Sequence, residues 1–570
     1  MASLYAKRSG DRTYWYLREM ARVDGKPTMV SERYLGTAAE IASAVESGQD
    51  AVMPQRSRHL AFGAVAAGWR VLERLGVTGI IDAVTGPDPR GAGVSRGTYL
   101  VLAALGRLVE PGSKAGFADW WKSTAADRFT RIPAAALDHR RFWDAMHSIT
   151  VEQLAEVERR VAVAMVEQYA LEVRSLALDM TNFATYIDTA NARAPIAQRG
   201  KAKQKRADLR LVGLGLVVTR DGGIPLVSHP YPGNRPDVTQ FTTMVDQLVG
   251  RYHAIAPGVG LDAPGELTVV FDAGQNSQEN FTHFASTGLH FVGSIPPSDC
   301  PDLLEVSGTA RRVVDGERFG KLTAFQRRRE VYGRKYRVIL THSPNLHAKQ
   351  SQGFDQSLSK AGARLRELAA RLERGRTRRA REAVEREIEE ICHDTWVRRV
   401  IVWTLTGDDP KGLRLTWHID ITVRASLERE QFGKRVLVTT RDAWSIAEVV
   451  AAYRSQSDAE FAFRQLKDPH VVSFSPMYHW TDHNIRVHVF TCVLALQIAH
   501  LMRREAGRAG LHLSVRALLD QLAGIGETVL IYPAAAGVGR PKVRRMLTET
   551  TPDQDRLASI FQLDRYAPAT

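Results

Sequence analysis

Cysteine is nearly absent from this 570-residue chain: Cys300, Cys392 and Cys492 are its only three, and they stand far apart. Such spacing excludes a disulfide framework and fits a reduced interior. No apolar run approaches the roughly 20 residues that a membrane span needs. The longest candidate, 487–498, is interrupted by His488 and Gln497 and is expected to be a buried helix. The opening Met-Ala-Ser-Leu-Tyr-Ala-Lys-Arg has no apolar stretch of the kind a secretory signal requires, so a cytoplasmic protein is expected. Acidic residues are in the minority, 63 Asp and Glu against 77 Lys and Arg, a formal charge of +14 with a pI near 9.7. That balance favours a polyanionic partner, and with no membrane span the expectation is nucleic acid.

Against that background, three carboxylates stand out. Asp179 closes the apolar run Ser175-Leu-Ala-Leu-Asp179, and Asp272 closes Leu267-Thr-Val-Val-Phe-Asp272. A half-buried carboxylate costs free energy unless it is paired or holds a metal. Two such strands side by side would crowd like charges that a divalent cation makes tolerable. The third carboxylate is Glu460. Helical geometry places Tyr453, Gln456, Glu460 and Lys467 within roughly a 60° arc, with Arg464 on the same face and Phe461 and Leu466 turned elsewhere. Together Asp179, Asp272 and Glu460 make an all-oxygen donor set suited to Mg2+, with Mn2+ as a substitute. Taken singly, each aspartate also fits an ordinary strand-end turn, and the helix a solvated, salt-bridged surface.

The spacing Tyr453-x2-Gln456-x3-Glu460-x6-Lys467 resembles the Y-(2)-R-(3)-E-(6)-K motif of DDE transposases of the insertion-sequence-four superfamily, most closely its sixteen-thirty-four branch. Gln456 departs from the motif's arginine, and Arg454 is the nearest cation to take over its phosphate contact. Asp179-x-Thr181 followed by the basic segment Gly200-Lys-Ala-Lys-Gln-Lys-Arg206, and Asp272-Ala-Gly-x-Asn276-Ser-x-Glu279-Asn280, are similar to the family's other motifs, in the same order. The resemblance covers roughly residues 90 to 505. It implies a ribonuclease H-like α/β core in which Asp179, Asp272 and Glu460 are catalytic and bind Mg2+. It also implies metal-dependent cleavage at transposon ends and transfer of the 3′-hydroxyl into target DNA. Tyr453, Arg454, Gln456, Arg464, Lys467, Lys201, Lys203, Lys205 and Arg206 would then contact DNA. The partners implied are double-stranded terminal inverted repeats and target DNA, bound by a homodimer and associated with the nucleoid of a prokaryote. Two alternatives share these residues: a nuclease of the same fold without strand transfer, and a domesticated DNA-binding protein without catalysis.

Along the chain, alternating patterns at 13–17 and 29–35 around a turn at 24–27 predict a small β region over 1–60. Residues 61–150 change to helical periodicity and are assigned to recognition of DNA ends, the alternative being a brace for the core. The core is expected over 151–298 and 441–530, with Asp237 capping the helix that follows the second hairpin. It is interrupted at 299–440 by a mainly β insertion carrying a charged helical arm, expected over 359–390 with a break near Gly375. Strands are expected in the insertion at 335–340, 397–405, 414–423 and 436–439. Residues 531–570 are expected to form a basic tail. Gly213-x-Gly215 lies within a strand and indicates close packing rather than a nucleotide fingerprint. His479-x3-His483-x4-His488 has histidine spacing without a cysteine pair, and a core histidine is the better reading of His488. Arg327 to Arg329, with Arg334 and Lys335, and the stretch 540–545 are further candidates for phosphate contacts.

Overall fold

In the computed structural model, all residues are described except 1, 24–25, 50–52, 88–92, 204–207, 261–263, 376–378, 534–540 and 570. The chain divides into two compact units, Met1–Ala61 with Ile525–Glu549 and Ala567–Thr570, and Phe62–Gly524 with Thr550–Tyr566.

In the smaller unit, Ala2–Ser9, Arg12–Val23 and Lys26–Thr37 pair antiparallel in that order. The helix Ala38–Gln49 follows. Its start is dictated locally: Thr37 Oγ1 accepts from the Glu40 amide at 3.3 Å while Glu40 accepts from the Thr37 amide at 2.7 Å. The first strand and this helix were not anticipated, and residues 24–25 of the expected turn lie outside the described residues. A second sheet sets Gly526–Tyr532 between Arg56–Ala61 and Lys542–Leu547. The expected basic tail is therefore not a tail. Lys542–Leu547 is a strand, and Pro552–Ile560 is a helix of the larger unit that buries Leu557.

The larger unit is built on a nine-stranded sheet. Helix α1 (Val151–Tyr169) leads into β1 (Ser175–Thr185), β2 (Arg210–Thr219) and β3 (Pro225–Pro232); α2 (Phe241–Val259), β4 (Thr268–Phe271) and β5 (His290–Ile295) follow. Next come β6 (Arg312–Val313), β7 (Thr323–Val331), β8 (Arg334–His342), α3 (Pro344–Glu373) and α4 (Arg381–Ile391). The hairpin β9 (Ile401–Thr406) and β10 (Arg414–Ile419) precedes β11 (Lys434–Thr439), α5 (Ile446–Arg454), α6 (Gln456–Lys467) and α7 (Asp482–Arg508). The sheet order is β6-β7-β8-β11-β5-β4-β1-β2-β3, and only the β1/β4 and β4/β5 pairs are parallel. Both faces of β1 and β2 are covered, which explains their nearly unbroken apolar sequence. Gly213 and Gly215 mark close approaches, as expected: a Cβ would lie 2.2 Å from the Tyr231 ring at Gly213 and 2.7 Å from Met244 Sδ at Gly215.

The insertion is not mainly β. Its strands β6, β7, β8 and β11 extend the central sheet, and the segment between β8 and β11 is helical apart from the β9–β10 hairpin. The charged arm begins earlier than expected, at Pro344, and breaks at Gly375, whose φ of 60° is left-handed. Two expected strands are partly helices because aspartates cap them. Asp394 accepts from the amides of Trp396 and Val397, which starts Thr395–Val400, and Asp420 accepts from Val423, which starts Ile421–Gln431. Helices and hairpin bury a core of their own around Leu365, Leu368, Ile388, Val400 and Phe432.

Helix α7 is long and apolar enough to cross a membrane, yet it is buried along nearly its whole length. Arg96–Val109, from the helical stretch after Ala61, packs against it. Several cations of that stretch are spent on backbone. Buried Arg107 donates to the carbonyls of Ser473, Ser475 and Pro476 at 3.2, 2.9 and 2.7 Å. Arg74, Arg96 and Arg128 donate to the carbonyls of Gln168, Thr85 and Tyr566.

Candidate functional site

Parallel pairing of β1 with β4 matches Ser175 to Thr268, Leu176 to Val269 and Ala177 to Val270. Carried two residues further, the same offset sets Asp179, within β1, abreast of Asp272, just past the carboxyl end of β4. Helix α6 runs along β1 and fixes itself there at both ends. Gln456 Nε2 donates to the Leu178 carbonyl at 3.0 Å, and Lys467 Nζ donates to Thr181 Oγ1 at 2.7 Å. Glu460 lies between those anchors, exposed, and its charge reaches Asp179.

The expected single helix is two. The hydrogen-bond ladder is interrupted at Ser455, which caps α5 and opens α6 while keeping helical dihedrals, φ −68° and ψ −9°. Tyr453 therefore lies in the last turn of the preceding helix. Expected at DNA, Tyr453 and Gln456 are instead buried: Tyr453 donates to Asp272 Oδ1 at 3.1 Å, and Gln456 is spent on Leu178. Arg454 and Arg464 are exposed, lying over the rings of Phe319 and Phe461 at 4.5 and 5.7 Å. Lys467 is partly buried, 5.5 Å over Phe183; burial and the Lys203 charge push its pKa down, against the pull of Asp179.

The basic loop after β1 is tied alongside that strand. Lys203 Nζ donates to the Met180 carbonyl at 2.6 Å and to Asp237 at 2.8 Å, and Asn182 Nδ2 donates to the carbonyl of exposed Lys201 at 3.0 Å. Lys205 and Arg206 lie outside the described residues. Asp237 does not cap α2, which has no side-chain cap. A short 3-10 turn, Asp237–Gln240, intervenes, and Asp237 accepts from Tyr231 Oη at 2.7 Å.

Electrostatics separate the two aspartates. Burial pushes Asp179 up to about 6, helped by the charges of Glu460 and Asp272 and opposed by the Met180 amide and Lys203. Partial burial also pushes Asp272 up, but Ser294, the Ala273 amide, Tyr453 and Arg435 together hold it below its ordinary value. Three donors converge on Asp272 Oδ1, Ser294 Oγ at 2.6 Å, the Ala273 amide at 2.8 Å and Tyr453 Oη at 3.1 Å, which leaves Oδ2 for a ligand. Asp179 Oδ1 accepts from the Met180 amide at 2.8 Å. The donor chemistry suits a hard divalent cation. Among the described residues, however, no three His, Cys, Asp or Glu side chains are grouped so as to hold one ion.

Sequence reasoning missed Ser294 and Arg435. Ser294 is the one hydroxyl in the apolar strand β5, a visible irregularity; Arg435 gave no signal, because its place depends on β11 pairing with β5. Asn276 donates to the Ser294 carbonyl at 2.8 Å and so fixes the loop after Asp272. A cavity of about 960 Å3 is lined by Asp272, Tyr453 and Glu460 together with Trp396 and Arg399 of the insertion. The arginines of β7 are engaged in ion pairs: Arg327 and Arg329 share Asp302, and Arg328 pairs with Asp442 at 2.7 Å. The histidines form no zinc site. His488 is buried between Phe474, whose carbonyl it contacts at 2.9 Å, and Lys114, while His483 turns to the Met146 carbonyl at 3.0 Å.

No family model and no curated protein matches this sequence. Among solved structures, a cryo-EM structure of a piggyBac transposase synaptic complex with hairpin DNA aligns over 82% of this chain and 82% of its own, at 8% identity. The TM-score is 0.35, too low to establish a shared fold.

Proposed function

We propose that this chain is a DDE-type DNA transposase that cleaves DNA at element ends and joins the exposed 3′-hydroxyl to target DNA. The observation that supports the reading is the β1–β4 register, which if continued sets Asp179 abreast of Asp272, with α6, which carries Glu460, anchored along β1. The order β3-β2-β1-β4-β5, with β2 antiparallel to its neighbours, supports a ribonuclease H-like core.

Asp179, Asp272 and Glu460 would hold Mg2+, or Mn2+ in its place. Bound there, the cation supplies Lewis-acid activation of water and of the leaving oxygen. The remaining work belongs to the chain. Ser294 and Tyr453 keep Asp272 ionised and oriented, and Gln456 and Lys467 fix the helix that carries Glu460. Lys203 sets positive charge beside Asp179. Duplex DNA is the substrate this arrangement fits, with a homodimer pairing two ends.

A labelled, precleaved DNA end incubated with plasmid and Mg2+ tests the reading. Wild-type protein should join the end to the plasmid, and Glu460→Gln should abolish joining and cleavage while leaving DNA affinity within about threefold, because only a metal ligand is lost. Cleavage without joining would instead indicate a nuclease. Retained cleavage by the variant would remove Glu460 from the chemistry.

A further inference from the structure

Four cations line the same cavity as Asp272: Arg399, Lys434, Arg435 and Arg454. Two are held by hydrogen bonds and two lie over aromatic rings. Arg399 donates to Glu430 at 2.9 Å, buried Lys434 donates to the Leu304 carbonyl, and Arg454 covers Phe319. Arg435 differs. It is exposed, its guanidinium lies 5.0 Å over the ring of Tyr453, and its charge reaches Asp272. The hydroxyl of the same Tyr453 donates to Asp272. One tyrosine thus lies between a guanidinium and the Asp272 carboxylate, its ring supporting the first and its hydroxyl holding the second.

A cation over a buried ring is held by up to about 2 kcal/mol, whereas a guanidinium grips phosphate oxygens through paired, charge-assisted hydrogen bonds that are stronger together. An incoming phosphodiester would therefore take Arg435 from the ring. Gln456 carries no charge, and its amide nitrogen is committed to Leu178. Strand β11 supplies the charge from the neighbouring side.

We propose that Arg435 is a catalytic residue that binds a non-bridging oxygen of the phosphate under attack, with Tyr453 as its positioning residue. The assignment rests on the DNA-cleaving reading above. In that step the water oxygen bonds to phosphorus as the bond to the 3′-oxygen breaks. One water proton ends on the 3′-oxygen and the other leaves to solvent, giving a 3′-hydroxyl and a 5′-phosphate. Arg435 neutralises charge on the equatorial oxygens as the leaving group departs.

Single-turnover cleavage of a duplex end at saturating protein tests this with full-length Arg435→Ala. The rate should fall about a hundredfold to a thousandfold at unchanged DNA Kd. Added methylguanidinium should then accelerate the variant at least about tenfold and leave wild type unmoved, which a packing defect would not do. A variant as fast as wild type, a loss confined to Kd, or a slow variant indifferent to methylguanidinium each overturns the assignment alone. Failure of wild type to cleave with Mg2+ or Mn2+ overturns the underlying reading, and this assignment with it.

Discussion

Ionisation of Asp179 opposes folding, because its pKa in the folded chain, about 6, lies above its ordinary value of 3.8. A raised carboxyl favours the protonated form, so its stabilising contribution is full below about pH 4 and is lost as pH rises through 6. At neutral pH the ionised group then costs up to about 3 kcal/mol, at roughly 1.4 kcal/mol per unit. Asp179→Asn should accordingly raise the metal-free protein's unfolding free energy at pH 7.5 by up to that amount, and by almost nothing at pH 4. Denaturant titrations at the two pH values check it; an equal gain at both would show that the effect is not electrostatic. Mg2+ should raise the Tm of wild type at pH 7.5 and do little for the variant, since a cation relieves the same burden.

The elements around the site were legible in the sequence to different degrees. The two aspartates were visible because each closes an apolar run and Glu460 because of its helical spacing, and the shared helical face survived because Ser455 keeps helical dihedrals although the ladder is cut. The roles of Tyr453 and Gln456 were not visible, since depth of burial depends on how tightly α6 lies on β1. The insertion was misread where apolar, β-branched runs outweighed the capping aspartates Asp394 and Asp420. The helical stretch after Ala61 was assigned to DNA ends on its basic composition, yet Arg107 binds the segment just after α6. Arg107→Met would remove three hydrogen bonds, one buried and two part-buried, and the protein should lose about 1–3 kcal/mol. DNA Kd measured below the new Tm should stay within about threefold. A large loss of affinity with unchanged Tm would restore the stretch to DNA binding.

For the whole molecule, the formal charge of +14 sets an expectation independent of the active site. If DNA runs along an extended track, affinity must fall linearly on a log–log plot against salt, with a slope near −0.9 for each phosphate neutralised. Several contacts predict a slope steeper than about −4 by fluorescence anisotropy, and a flat response would limit contact to one or two phosphates.

The smaller unit carries a different consequence. Its Gly526–Tyr532 strand is the middle of three, and its partners Arg56–Ala61 and Lys542–Leu547 are separated by nearly the whole chain. An early segment made at the ribosome must therefore wait, edge exposed, until almost all the remaining residues have been synthesised. Stopping translation after Gly524 would leave Arg56–Ala61 with no strand beside it, and that truncated product should show rapid amide exchange at 56–61 where the full chain is protected.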